Sequence, residues 1–235
     1  MFAPTGESKK SGEVNAYVFS SLNTRPSLAG GNTWLGSNFG FLSPANQSSE
    51  IPHFGGFEAG FDLLYPTSYP GDPQTVKPVL NFKMQFLTES TYSPHAAVGF
   101  MDFAPFKISR GSNIAYLSLT KRISMSKNYG RLTLGVGNSF SNDVNVFFST
   151  APLPEHTQMI IGGYESPDFG PISFGADYFG GISESSSTNF IMNYALPVAV
   201  LSIGVFVSND QTTVANNYDG FFISVEKTWG SLKVE

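Results

Sequence analysis

Apolar and polar residues alternate along most of this chain, and this pattern restricts the possible folds more than any other feature. The stretch FIMNYALPVAVLSIGVFVSND, residues 190–210, shows the alternation on both sides of Pro197. A repeat of two residues is typical of a β-strand, in which successive side chains point to opposite faces of the sheet. Because the phase of the repeat changes at Pro197, we predict two strands joined by a tight connection.

The same alternation recurs through the rest of the sequence. It is clear in FEAGFDLLY, LNFKMQF, GRLTLGVGNSF, PISFGADYF and FFISVEKTW, and weaker in segments that begin near Val14, Trp34, Ala96, Ile114 and Gln158. Together these segments predict about twelve strands and no helix. No segment has about 18 uninterrupted apolar residues, so a transmembrane helix is not predicted.

The chain of 235 residues contains no low-complexity linker, which favours a single domain. We predict a leader or tail over residues 1–12 and one barrel domain over residues 13–235. The first fifty residues form either two strands or a plug that folds inward. The start, MFAPTGESKK, lacks the apolar core of a secretory signal, so for an exported protein we expect a mature form with an added Met1.

The composition excludes several classes of function. The net charge of -5 argues against nucleic-acid binding, which needs a basic surface. The chain has no cysteine, so disulfides, thiolate metal sites and a cysteine nucleophile are excluded. Neither a dinucleotide-binding glycine motif nor a P-loop occurs, and the three histidines do not have the spacing of a zinc site. We therefore predict no cofactor and no metal.

The polar faces of the predicted strands indicate which solvent the apolar faces meet. They consist mostly of Gly, Ser, Thr and Asn, and charged residues make up only 13% of the chain, about half the usual share. A sandwich exposed to water would carry more Lys and Glu, whereas a narrow lumen favours small polar residues. The sequence therefore predicts an all-β fold, a closed antiparallel transmembrane β-barrel of about twelve strands. Tyr65, Tyr178, Tyr194 and Trp229 lie where an interfacial aromatic girdle would place them.

The lengths of the connections support the same architecture. From the seventh predicted strand onward they run long, short, long, short, long: 141–156, 166–170, 181–187, around Pro197, and 209–219. Bacterial outer-membrane barrels show this asymmetry, with short periplasmic turns and longer extracellular loops. The segment 43–53 departs from the pattern, because it is long where a short turn is expected.

Six charged residues fall on faces assigned to the lumen, and these are the candidate pore-lining residues: Glu58, Asp62, Lys83, Arg131, Asp177 and Glu226. Two interpretations remain open for them. They could line a pore and select solutes, or they could fill a narrow barrel with ion pairs and hydrogen bonds. Asp102 lies on a strand with weak alternation, so its face is not assigned. No catalytic residue is predicted.

One region resembles a known family. The elements Gly99–Asp102 (GFMD), Thr120–Arg122 (TKR) and Thr133–Gly137 (TLGVG), within residues 91–140, are similar to the repeating unit of YjbH-type outer-membrane barrel proteins. That family is associated with exopolysaccharide export or surface polysaccharide assembly. The resemblance implies an outer-membrane barrel with a role of this kind.

The preferred hypothesis is a barrel of the bacterial outer membrane that acts as a passive channel or as part of a solute or surface-polysaccharide export assembly. Its expected partners are the lipid bilayer, lipopolysaccharide, and small solutes or polysaccharide. One alternative is a secreted soluble β-sandwich that binds carbohydrate or forms an assembly. The other is a barrel-embedded lipid or ester hydrolase, although no residue marks a nucleophile and we expect no enzyme.

Overall fold

The computed structural model describes residues 5, 7–23, 31–43, 51–66, 77–104, 113–124, 127–140, 158–181, 186–208 and 219–230. They form twelve strands: β1 (Val14–Asn23), β2 (Gly31–Phe41), β3 (Gly56–Pro66), β4 (Lys77–Leu87), β5 (His95–Phe103), β6 (Ile114–Ser124), β7 (Asn128–Ser139), β8 (Gln158–Glu165), β9 (Ile172–Gly181), β10 (Ser186–Ala195), β11 (Val200–Ser208) and β12 (Gly220–Trp229). In these ranges no helix is long and apolar enough to cross a bilayer.

The twelve strands form one closed antiparallel barrel. Each strand pairs with its neighbours in sequence, and β1 pairs with β12 from Val14↔Trp229 to Asn23↔Gly220. The predicted all-β closed barrel of about twelve strands is therefore confirmed. Because the pairing of β1 with β12 leaves no free sheet edge, the structure excludes the two-sheet sandwich, which has edges.

The connections differ at the two ends of the barrel. At one end, here called the short-turn end, they span 42–55, 88–94, 125–127, 166–171 and 196–199. At the other end, the long-loop end, they span 24–30, 67–76, 104–113, 140–157, 182–185 and 209–219. The predicted asymmetry holds for most of them. The prediction of a long loop at 181–187 was wrong, because β9 continues to Gly181 and β10 begins at Ser186, so that only 182–185 lie between them. The segment before β3 is long, as the sequence indicated.

The outer face of the barrel carries exposed apolar side chains on every strand. The apolar residues predicted to share one face lie there, and among the exposed ones are Phe61, Phe82, Leu132, Leu134, Val136, Phe174, Phe190, Met192, Ile203, Phe221, Ile223 and Val225. The tyrosines and the tryptophan of the predicted girdle also point outward where they are described, while the side chain of Tyr65 lies outside the described residues. The outer face is therefore apolar around the whole ring.

The inner face is mostly small and polar, as predicted, but it also holds two apolar clusters. The first consists of Ile114, Tyr116, Met159, Ile161 and Phe179, with Met101 against it, and the second of Phe19, Trp34, Ile191 and Phe222, with Phe206 against it. Most of these residues lie in the half of their strand nearer the long-loop end. The alternation does not reveal these inward residues, because each sits beside an outward apolar residue, as in Phe221–Phe222.

Glycines on the inner face make room for large rings from neighbouring strands. A Cβ at Gly36 would meet the ring of Tyr17 and the carboxylate of Asp62, and a Cβ at Gly99 would meet the ring of Tyr116. Side chains from neighbouring strands share the interior of a barrel, so a large residue on one strand requires a small one beside it. Glycines such as Gly36 and Gly99 on the inner face therefore leave space in which aromatic rings from adjacent strands pack.

A β-bulge in β5 brings Asp102 to the inner face. The register of β4 with β5 shifts between Leu80 and Phe82, and Asp102 has a positive φ of 52°. The N–H of Asp102 donates to Oδ1 of Asn81 at 3.1 Å. A bulge adds one residue to a strand and re-aims the side chains beside it. This explains the weak alternation of this segment in the sequence.

Candidate functional site in the barrel lumen

A cavity of about 320 Å³ lies inside the barrel, between the two apolar clusters and the short-turn mouth. Its aromatic lining includes Tyr17, Phe19, Trp34, Tyr116 and Phe222, and its polar lining includes Asn15, Asn38, Asn81, Glu58, Asp62, Lys83, Asp102 and Glu226. Four of the six predicted pore-lining residues therefore meet at one place. Asp102, which the sequence left unassigned, joins them through the bulge.

Asp62 is one of two deeply buried carboxylates of this lining, and like Asp102 it has 4% of the residue exposed. It accepts a hydrogen bond from the hydroxyl of Tyr17 and another from Nδ2 of Asn81, the latter at 2.6 Å. Buried charges are stable only when such donors replace the lost water. The strands β1, β3 and β4 are thus tied together through one carboxylate.

Glu58, Lys83 and Glu226 lie closer to the short-turn mouth. Lys83 Nζ is 3.4 Å from Glu58 Oε2. Glu226 Oε1 accepts a hydrogen bond from Nδ2 of Asn15 at 2.6 Å. These groups are half-buried, so they combine a structural role with contact to the cavity.

The other two candidates have different surroundings and do not line this cavity. Asp177 is buried and accepts a hydrogen bond from Nδ2 of Asn189 at 2.6 Å, which links β9 to β10. Arg131, on β7, forms an ion pair with Glu7. For Asp177 the geometry favours the interpretation in which lumen side chains fill the barrel with hydrogen bonds. Arg131 instead holds a segment that was predicted to lie outside the barrel domain.

That segment is residues 7–13, here called the N-terminal strap, which runs across the short-turn mouth. At its β1 end, Gly12 N–H donates to Gly40 O at 2.9 Å, and Gly40 N–H donates to Glu13 O at 2.8 Å. Further along, Ser8 N–H donates to Oε1 of Gln85 at 2.9 Å. The strap includes residues 7–12, which are half of the predicted leader or tail. Its sequence, ESKKSGE, shows only a run of charged and small residues, which gives no signal of this position.

Charged groups surround the far end of the strap. Glu7, Glu89 and His95 each offer one atom, and these three atoms lie within 4.8 Å of one another, a spacing that could hold a metal ion. However, Glu7 pairs with Arg131, and Lys121 Nζ is 3.5 Å from Glu89 Oε1. Because cationic side chains already neutralise both carboxylates, the arrangement is better suited to an ion-pair cluster than to a metal centre.

Of the other histidines, His53 contacts Thr88, with Nδ1 at 3.2 Å from Oγ1, and His156 lies outside the described residues.

No protein-family model matches the chain, and no curated protein matches it either. The resemblance to YjbH-type barrels stays a prediction. Its three elements lie in the bulge of β5, towards the end of β6 and in the middle of β7.

Proposed function

We propose that this chain is a barrel of the bacterial outer membrane that serves as a passive channel or as a component of a solute or polysaccharide export assembly. The observation that carries the proposal is a closed ring of strands whose outer face is apolar and exposed. Soluble monomers rarely expose apolar patches larger than a few hundred Å². A bilayer accepts such a surface, and a closed ring leaves no backbone group unpaired in hydrocarbon.

The dimensions and the aromatic residues agree with this environment. The strands have between 8 and 12 residues, close to the 9 to 11 or so needed to span a bilayer. Tyr164, Tyr194 and Trp229 are exposed near the short-turn end, and Lys227 Nζ lies 5.4 Å from the centre of the Trp229 ring. Aromatic side chains and lysines of this kind anchor barrels at the membrane interface. The short-turn end would then face the periplasm.

The lumen supports transport or solute binding without a cofactor. Its cavity combines amide and carboxylate groups with aromatic rings, which suits polar solutes with hydroxyl or amine groups. The family resemblance implies a more specific version of this proposal, a role in polysaccharide export. The acidic Asp102 of the GFMD element, which carries part of the resemblance, lies in the cavity wall and supports this more specific role. The proposed activity is not enzymatic.

Two measurements test the membrane assignment. The chain refolded in detergent should float with liposomes and show heat-modifiable gel mobility, because folded barrels migrate differently from unfolded chains. A chain that stays monodisperse in water without detergent would contradict the proposal.

Planar-bilayer recording then tests the channel version of the proposal. A barrel that floats with liposomes and is heat-modifiable should give discrete conductance steps, and the absence of steps would leave only a structural or assembly role.

A further inference from the structure

We propose that the N-terminal strap is a gate, which closes the short-turn mouth of the lumen and on release opens a path that prefers cations. This inference rests on the proposed channel function and names its regulation and its class of solute. It is carried by the course of the strap, by the kind of contacts that hold it, and by the charges that remain on the wall when it leaves.

The strap runs past β2, β3 and β4 at the short-turn mouth, and its side chains reach β7 and β12. It starts beside β1 and β2, where Gly12 and Glu13 bond to Gly40. It reaches β7 at the other end, where Glu7 pairs with Arg131. In a ring of twelve strands β7 lies six places from β1 in either direction, which is directly opposite. A chain that joins opposite walls obstructs the opening between them.

The contacts along this path are mostly polar and involve side chains. Lys83 Nζ donates to the carbonyl of Glu7 at 2.9 Å, Lys9 N–H donates to Oε2 of Glu58 at 3.0 Å, and Lys9 Nζ is 3.8 Å from Glu226 Oε1. Ion pairs between partly exposed groups are weak. The strap adds no strand to the barrel, so it can leave while every strand pair of the ring stays intact.

After release of the strap, the wall alone sets the charge at the mouth of the cavity, because residues 7–13 carry two Glu and two Lys and so have no net charge. The cavity wall carries Glu58, Asp62, Asp102 and Glu226 against the single ammonium group of Lys83. Rings of carboxylates in a narrow pore attract cations and repel anions. The released state therefore favours cationic solutes, and an inorganic cation such as K⁺ is a sufficient probe.

The test compares the full chain with a variant in which the ion pairs of the strap are removed, Glu7→Gln with Lys9→Gln. The matched control is Lys127→Gln with Asp168→Asn, which removes the same two charges from turns at the same end. In planar bilayers the strap variant should have an open probability higher by roughly tenfold, as expected for the loss of two weak pairs. The control should behave like the parent.

Deletion of residues 2–13 gives the limiting case, because β1 begins only at Val14. This variant should conduct steadily, and in a KCl gradient its reversal potential should have the sign expected for K⁺. Adding Glu58→Gln and Glu226→Gln to the deletion should move the reversal potential towards zero. A deletion variant that prefers Cl⁻ would overturn the assignment of solute class.

A second readout does not depend on conduction. The chain has no cysteine, so Ser8→Cys introduces a single thiol on the strap. A polar maleimide should label this thiol slowly in the parent background and faster when Glu7→Gln and Lys9→Gln are also present. Equal labelling rates would overturn the gate.

The outcomes separate the gate from the channel. If the parent and the strap variant conduct equally, the channel proposal stands and the gate fails. If all variants float with liposomes and none conducts, the channel and the gate both fail. If the parent does not enter membranes at all, the membrane assignment itself fails.

Discussion

The two halves of the lumen are built from different chemistry. Towards the long-loop end, buried apolar side chains such as Phe179 and Phe222 pack in two separate clusters on the inner face. Towards the short-turn end, charged groups such as Arg131 and Glu226 hold the N-terminal strap. Apolar packing cannot be lost without a large cost, whereas half-exposed ion pairs exchange readily with water. We therefore expect the first half to set the stability of the barrel and the second half to set its opening.

The largest expected effect lies in the apolar half. Phe179 is fully buried, so Phe179→Ala should lower the free energy of unfolding by about 3–5 kcal/mol, because it leaves a cavity in the lumen packing. The matched control is Phe174→Ala on the same strand, whose side chain points outward and is 47% exposed. Denaturant titration of the heat-modifiable band in lipid measures both. A larger loss for Phe174 would reverse the comparison.

The next effect tests the ring packing between the two halves. Gly36→Ala should destabilise the barrel by about 1–3 kcal/mol, because the new methyl group would meet the ring of Tyr17 and the carboxylate of Asp62. Gly230→Ala serves as the control, since nothing lies within 4 Å of a Cβ there. The same unfolding titration applies. Equal stability of the two variants would show that Tyr17 can move aside at no cost.

A smaller effect is expected at the hydroxyl pair of β6 and β7. Thr120 Oγ1 and Thr133 Oγ1 are 2.8 Å apart and buried. Thr120→Val should cost about 1 kcal/mol, because the hydroxyl of Thr133 loses a buried partner. The double variant with Thr133→Val should be close to the parent, since both polar groups are then absent. If the two single effects simply add, the pair contributes nothing specific.

The smallest effect on stability is expected in the strap. Glu7→Gln should change the free energy of unfolding by less than about 1 kcal/mol, because its ion pair with Arg131 is partly exposed. The same variant should change channel opening, as argued above for the gate. A loss as large as that of Phe179→Ala would mean that the strap is part of the folded core and not a gate.

Part of the site could be predicted and part could not, for identifiable reasons. Glu58, Asp62, Lys83 and Glu226 were assigned to the lumen because a period of two fixes the face of each residue in a regular strand. The face of Asp102 was not assigned because a bulge interrupts that period. Phe179 and Ile191 were not assigned to the lumen because each lies beside an outward apolar residue, where hydrophobicity alone does not distinguish the two faces.

The sequence by itself determined the strands, their number and the apolar outer face, because these follow from local alternation and turn residues. Only the tertiary structure decided which lumen groups meet. Asp62 on β3 accepts hydrogen bonds from partners on β1 and β4, and the strap meets Arg131 across the ring from β1. Such contacts depend on closure and register, which set distances between residues far apart in the chain. A pattern with a period of two carries no information about those distances.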